Sequence, residues 1–213
     1  RMMQESGLVY SIEQAPVQYV VNGELKTDED KIVQYRSDNG QSLGVVGAGF
    51  ETSQPAQIFE LMDQIKNEIG AEWDAAFALF GGKKLVCQLK LDAPAMEIIK
   101  GDLSNSYLTF ACACDGTMPR SIWLSEIRSV CNNMLSYSFN KAQKDKLSRL
   151  FRQSHRTAFD ASLLKEAVYM TQEARQQQAE ILRNMSAVKL DISEAKAAIA
   201  SIMGKPAAQR DTN

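Results

Sequence analysis

The residues best suited to chemistry are six bases packed into sixteen positions: Lys141, Lys144, Lys146, Arg149, Arg152 and Arg156, opposed only by Asp145. On a helix these recur at steps of three to four, giving a basic stripe with Leu150 and Phe151 on an apolar side. Lys83-Lys84 form a second, smaller cluster, with Arg120 and Arg128 further along. Positive charge in this density suits phosphate oxygens, and Tyr107, Trp123 and Tyr137 lie near it. Bases stacking on aromatic rings beside a basic track are how sequence-tolerant single-strand binders work. Tyr107 and Trp123 are the expected stacking partners, and the other reading of the charge run is an ordinary solvated helix face.

Other chemistries find little support. His155 is the only histidine and sits between Ser154 and Arg156, without carboxylate or thiolate neighbours at metal-binding spacing. The expectation for it is a surface or helix-end position. Cys87, Cys112, Cys114 and Cys131 all fall in apolar stretches. None makes the C-x-x-C pair of a zinc ribbon or redox site, so buried free thiols are expected. Gly44, Gly47 and Gly49 lack the order and βαβ setting of a dinucleotide fingerprint, and Gly81-Gly82-Lys83-Lys84 lacks phosphate-loop spacing. No nucleophile elbow is present. The expectation is therefore a protein that is not an enzyme and needs no cofactor or metal.

Length and composition set the frame for these residues. The chain has 213 residues, 45% hydrophobic and 23% charged, with a net charge of -2. It is long enough to bury a core without disulfides or metal. The balance argues against a uniformly basic protein but leaves room for a local basic patch. No run of about 18 apolar residues exists, so no membrane span is expected. With no leader pattern at the start, a cytoplasmic protein is the default expectation.

The elements that must position these residues can be read in order. Residues 1–30 look irregular, with a short strand over 17–21 before Asn22-Gly23. Strands over 31–37 and 42–46 flank Asp38-Asn39-Gly40, a hairpin signal because Asn and Gly tolerate positive φ. Ile58, Phe59, Leu61, Met62, Ile65 and Ile69 share a helical face, with Thr52 or Ser53 as N-cap, Pro55 in the first turn and Gly70 as C-cap. Strands follow over 73–80, 83–91 and 107–114, with a fourth over 120–124. Leu85, Cys87, Leu89 and Leu91 alternate with Lys84, Val86, Gln88 and Lys90. Helical periodicity resumes over 125–139. A long Gln-rich helix is expected over about 161–187, and a short one carries Ile192, Ala195, Ile199 and Ile202.

Strands followed by helices argue an α+β fold: an antiparallel sheet made of a hairpin and a three- or four-stranded meander, packed by helices, with a helical C-terminal third. The expected division is an irregular segment (1–30), an α+β core (31–156), a helical extension (157–203) and a flexible tail (204–213).

Two segments carry a family resemblance. Arg36, Asp38, Gly40, Leu43, Gly44 and Val46, followed by Phe50 and an amphipathic helix, resemble an "R-x-D-x-G-x-x-L-G-x-V" signature. Arg128, Val130, Cys131 and Asn133 resemble a later "R-x-V-C-x-N". Together they resemble domain of unknown function 932, a phage- and plasmid-borne family, over about 34–156. The resemblance implies a mobile-element gene but no activity, and the Gln-rich helix departs from it. The order helix, three strands, helix is also similar to the core of Rad-type and phage single-strand annealing proteins. That likeness implies an ATP-independent homo-oligomer, a ring or filament, with single-stranded DNA in a basic groove between strand layer and helix. A protein-binding accessory or anti-defence module without nucleic acid is the alternative.

Overall fold

The alternation over 84–91 becomes the axis of the fold in the computed structural model, which describes residues 2–91, 96–97, 103–144, 150–162, 180–181, 184, 187–188 and 191–202. In chain order the elements are α1 (Met2–Glu5), β1 (Ile12–Val21), β2 (Glu24–Arg36), β3 (Ser42–Gly47), α2 (Pro55–Ile69), β4 (Glu72–Leu79), β5 (Lys84–Lys90), β6 (Met96–Glu97), β7 (Leu103–Ser104), β8 (Tyr107–Ala113), β9 (Arg120–Ser125), α3 (Asn132–Lys144), β10 (Phe151–Gln153) and α4 (Ile192–Ile202). Strands β10-β9-β8-β5-β4 form one antiparallel sheet, β1-β2-β3 a second, and β6-β7 a small ribbon. The class is α+β, as expected.

The two faces of the five-stranded sheet take different helices because its strands alternate. Leu85, Cys87, Leu89, Leu108, Phe110, Cys112, Ile122 and Leu124 share a core with Ile58, Leu61, Met62 and Ile65 of α2, and Leu8, Tyr10, Ile12 and Leu43 join it. Val86, Ala111, Ala113 and Trp123 point the other way, into a smaller core with Leu135 and Ala142 of α3. Each large apolar side chain buried this way stabilises the fold by about 1.5–3 kcal/mol relative to exposure. Cys112 and Cys114 fall in the α2 core, on the shared side their spacing predicts.

Helix α2 begins and ends as its sequence directs, with one change of residue. Pro55 occupies its first turn and Gly70 closes it at φ 65°. The N-cap is Gln54 rather than Thr52 or Ser53. Gln57 Oε1 accepts the Gln54 N–H at 3.1 Å. The Gln54 side chain meanwhile pairs with the Ile12 backbone in both directions, accepting from Ile12 N at 2.9 Å and donating to Ile12 O at 2.8 Å. It thus imitates a strand neighbour and ties the start of β1 to α2.

Three expectations need correction. The expected strand over 17–21 before Asn22-Gly23 is present, but the rest of 12–30 is not irregular: β1 and β2 pair from Ile12↔Arg36 to Val21↔Glu24. Pro16 and the charged run Asp28-Glu29-Asp30-Lys31 hide the period-two signal there. The second helix begins at Asn132 rather than near 125. Gln88 holds the preceding segment extended: its Nε2 donates to Ile127 O at 3.3 Å and its Oε1 accepts from Ser129 N at 3.0 Å. Finally, the basic stretch is not one helix, since Arg152 lies on β10, paired with Ser121 of β9. Most of the long helix expected over 161–187 lies outside the described residues, and those described within it, 161–162, 180–181, 184 and 187, are helical; the tail from 204 also lies outside them, whereas the short amphipathic stretch is α4.

Close approach of the two sheets explains Gly44. A Cβ there would sit 2.7 Å from Asp115 Cβ and 3.0 Å from its Cα, in the turn between β8 and β9. Replacing it therefore forces the sheets apart. Gly44→Ala is expected to cost about 1–3 kcal/mol, the usual penalty of overpacking, read as a lower midpoint in urea unfolding.

Candidate nucleic-acid interface

The expected binding residues divide into those that hold the fold together and those left on one helix face. Arg120 belongs to the first group. It is fully buried, at the first position of β9 where its side chain follows Ile122 and Leu124 to the α2 side. Its Nε donates to Ser53 Oγ at 2.7 Å. Nη1 reaches Gln153 Oε1, Ser154 O and Thr157 O at 3.2, 3.1 and 2.8 Å, and Nη2 reaches Glu51 O at 2.9 Å. The Phe159 ring lies 5.5 Å from the guanidinium carbon. Carbonyl and hydroxyl dipoles therefore take the place of a carboxylate partner. Burial pulls the Arg120 pKa below its ordinary value, only partly offset by Cys112 and Glu51. This guanidinium has no face open to a phosphate, so the expected role in binding is withdrawn.

His155 sits beside it, buried rather than at the surface. Its ring stacks on Phe50 at 4.3 Å, and its two nitrogens face Glu51 O and Met118 O, each at 3.2 Å. A neutral imidazole donates to only one of these carbonyls. Burial lowers the His155 pKa first, and the nearby Arg120 charge lowers it further, against the pull of the two carbonyls.

Trp123 and Tyr107 are likewise withdrawn as stacking platforms. Trp123 is 1% exposed. Its Nε1–H donates to Ser138 Oγ at 2.8 Å, Ser138 donates on to Ser125 Oγ at 2.8 Å, and the ring meets Phe139 edge-on at 5.4 Å. Tyr107 is buried at the end of β8. The groove between strand layer and helix implied by the annealing-protein likeness is thus filled by Trp123, Phe139 and Leu135. Arg128 is exposed, but its Nε meets both Asp74 oxygens at 3.0 and 2.9 Å, which neutralises it locally. Lys83 is half-buried in the turn before β5 and its carbonyl accepts from Cys114 N. Lys146 and Arg149 lie outside the described residues, and Arg156 is exposed in the turn after β10.

What remains comes together on α3. Leu135, Ser138 and Ala142 face inward. Tyr137, Asn140, Lys141 and Lys144, at i, i+3, i+4 and i+7, line an open concavity of about 520 Å³. Tyr137 is 65% exposed. Lys141 contacts Glu126 at 3.5 Å yet keeps 45% of its side chain in solvent. Arg152 lies over the Phe139 ring of the same helix at 5.4 Å. Lys84 marks its other end, with Nζ 3.4 Å from Asn132 Oδ1 and 5.7 Å from the exposed Phe80 ring. Tyr137 and Asn140 were missing from the expected set. The helical step from Tyr137 to Lys141 and Lys144 is the signal that finds them.

No metal chemistry is added by the rest of the molecule: among the described residues no three His, Cys, Asp or Glu side chains gather to hold an ion. Cys87, Cys112 and Cys114 are buried free thiols, as expected, whereas Cys131 is exposed. Burial pushes the Cys112 thiol up to about 12 and raises Cys87 and Cys114 as well. Among the described residues no helix is long and apolar enough to cross a membrane.

The chain belongs to the family described as a domain of unknown function, DUF932, whose pattern matches residues 42–213. No curated protein and no solved structure matches the chain. The match takes in the Gln-rich segment that was expected to depart from the family, and it begins after Arg36, Asp38 and Gly40 of the first signature. Arg36 meets both Asp38 oxygens, at 2.9 and 2.6 Å, and stacks on Tyr10 at 3.9 Å. Gly40 turns the chain at φ 70°. In the second segment, the Cys131 carbonyl accepts from Leu135 N in the first turn of α3.

Two outcomes follow for the buried centre. Arg120→Ala leaves carbonyls and Ser53 unpartnered, so a loss of roughly 3 kcal/mol or more is expected, measured by chemical unfolding. His155 stays neutral in the fold at pH values where an unfolded chain takes a proton. Its contribution is therefore complete above its ordinary value of 6.5 and is lost as pH falls below it. The slope is at most about 1.4 kcal/mol per pH unit, the limit for one proton. In His155→Gln, thermal denaturation across pH 7 to 5 should lose this component.

Proposed function

We propose that the protein binds single-stranded DNA along the outward face of α3 and acts, without nucleotide hydrolysis, as a homo-oligomeric strand-annealing protein of a phage or other mobile element. The observation that carries this reading is the row Tyr137, Asn140, Lys141 and Lys144 in one open concavity. It offers a flat ring for a base, an amide for a base edge or sugar, and two ammonium groups at a spacing that follows a phosphate backbone. Arg152 and Lys84 extend the charge toward either end of the helix. Contacts of this type read backbone and ring, which suits a protein that must accept many sequences. The similarity in element order to annealing proteins supports the same reading, although the strand would run outside α3 rather than beneath it.

A second reading, a protein-docking module, is favoured by a different observation. Met134 and Tyr137 on this same face are 36% and 65% exposed, and Val130, just before α3, is 52% exposed. Apolar area of this kind is what a protein partner covers.

Lys141→Glu with Lys144→Glu should weaken binding of a fluorescent oligonucleotide and lower the salt slope by about 1.4, at ~0.7 per lost phosphate contact on a single strand. Tyr137→Ala should cost about 1–3 kcal/mol of binding with the slope unchanged. Full-strength binding by both variants would remove α3 from the reading. No binding by the parent protein at low salt would leave the protein-docking alternative.

A further inference from the structure

The ribbon β1–β2 outruns the rest of its sheet. Strand β3 pairs only with Lys31 to Tyr35 of β2, so the ladder from Val17↔Asp28 to Val21↔Glu24 continues as a two-stranded arm. A lone two-stranded ribbon is marginal in water unless something covers a face. This one exposes apolar side chains instead: Tyr19 47%, Val20 67%, Val21 39% and Leu25 64%. Cross-strand pairs share a face. One face therefore carries Tyr19 and Val21 with Glu24 and Asp28, and Lys26 between them.

The charges on this arm complement those on α3. Residues 17–31 hold four acids and two lysines, a net of -2, whereas residues 132–144 hold two lysines and no acid. Both surfaces mix those charges with exposed apolar groups, Met134 and Tyr137 on the helix and Tyr19 and Val21 on the arm. An acidic edge with a flat ring also presents to α3 the same chemistry as a phosphate and a base.

We propose that in the protein free of nucleic acid the arm of one copy lies on the α3 face of a second copy, so that self-assembly and strand binding compete for one surface. The contact is heterologous, arm to helix, and repeats from copy to copy into a ring or an open filament. Only the competition rests on the reading of α3 as a strand-binding face; the contact itself rests on the arm.

The test is analytical ultracentrifugation of the full chain at low salt, with and without a dT oligonucleotide. The parent should assemble, and salt should weaken the assembly. Tyr19→Ser with Val21→Ser should raise the concentration for half-assembly at least about tenfold, while leaving strand affinity equal or tighter. Lys141→Glu with Lys144→Glu should also block assembly, and mixing it with Glu24→Lys/Asp28→Lys should restore a complex neither forms alone. Added oligonucleotide should release the parent assembly. A monomeric parent, an arm variant that assembles unchanged, or a mixture of reversed charges that fails to pair overturns the contact. Strand bound by an intact assembly overturns the competition. If no oligonucleotide binds but arm dependence and charge rescue hold, the arm contact stands and the strand-binding reading falls.

Discussion

The placement of Arg120 is the constraint on which much of the structure depends. A guanidinium fully removed from solvent keeps its charge only if its N–H groups find acceptors. Here the acceptors come from two separate stretches: Glu51 and Ser53 before α2, and Gln153 at the end of β10 with Ser154 and Thr157 just beyond it. One side chain at the head of β9 thereby fixes where α2 begins and how the sheet's last strand closes. His155 adds a second constraint within the same cluster. Glu51 N donates to His155 O, and the His155 ring leans on Phe50. Burial, and then the positive charge of Arg120, pull the His155 pKa below its ordinary value.

That arrangement explains which parts of the fold were legible in the sequence. The alternation of 84–91, the helical spacing of Ile58 to Ile69 and the turn at Asp38-Asn39-Gly40 each arise from local geometry, and each corresponds to an observed element. Arg120 and His155 were misread for the opposite reason. A basic residue looks like surface when its partners are far off in the chain, and Glu51 O lies 69 positions from Arg120 and 104 from His155. The start of α3 was misplaced because Gln88, 41 positions from Ser129, holds the preceding segment extended. Of the β1–β2 arm only the strand over 17–21 and its Asn22-Gly23 turn were legible, because the return strand over 24–30 carries Leu25 as its one apolar residue.

The candidate site was legible in outline and wrong in its members. Lys141 and Lys144 stand where charge density placed them, but the stripe drawn through Arg152 and Arg156 assumed one continuous helix. Arg152 lies on β10 and returns to α3 through its contact with Phe139. Of the aromatics named beside the charge, Trp123 fills the space beneath α3 and Tyr107 is buried on β8, while Tyr137 remains outside.

This exchange changes what α3 can do. With Trp123 locked to Ser138 and packed edge-on to Phe139, the sheet-facing side of the helix has no room for a base. A polyanion meets only the outer face, where one ring and a few flexible cations offer contacts that discriminate poorly among sequences. Poor discrimination also means that any segment presenting acid and a flat apolar group suits the same face. The β1–β2 arm presents both, with Glu24 and Asp28 beside Tyr19 and Val21 on one side of the ribbon. In the proposed reading such a surface needs no separate regulatory site, since strand and neighbouring copy would exclude one another by occupying it in turn.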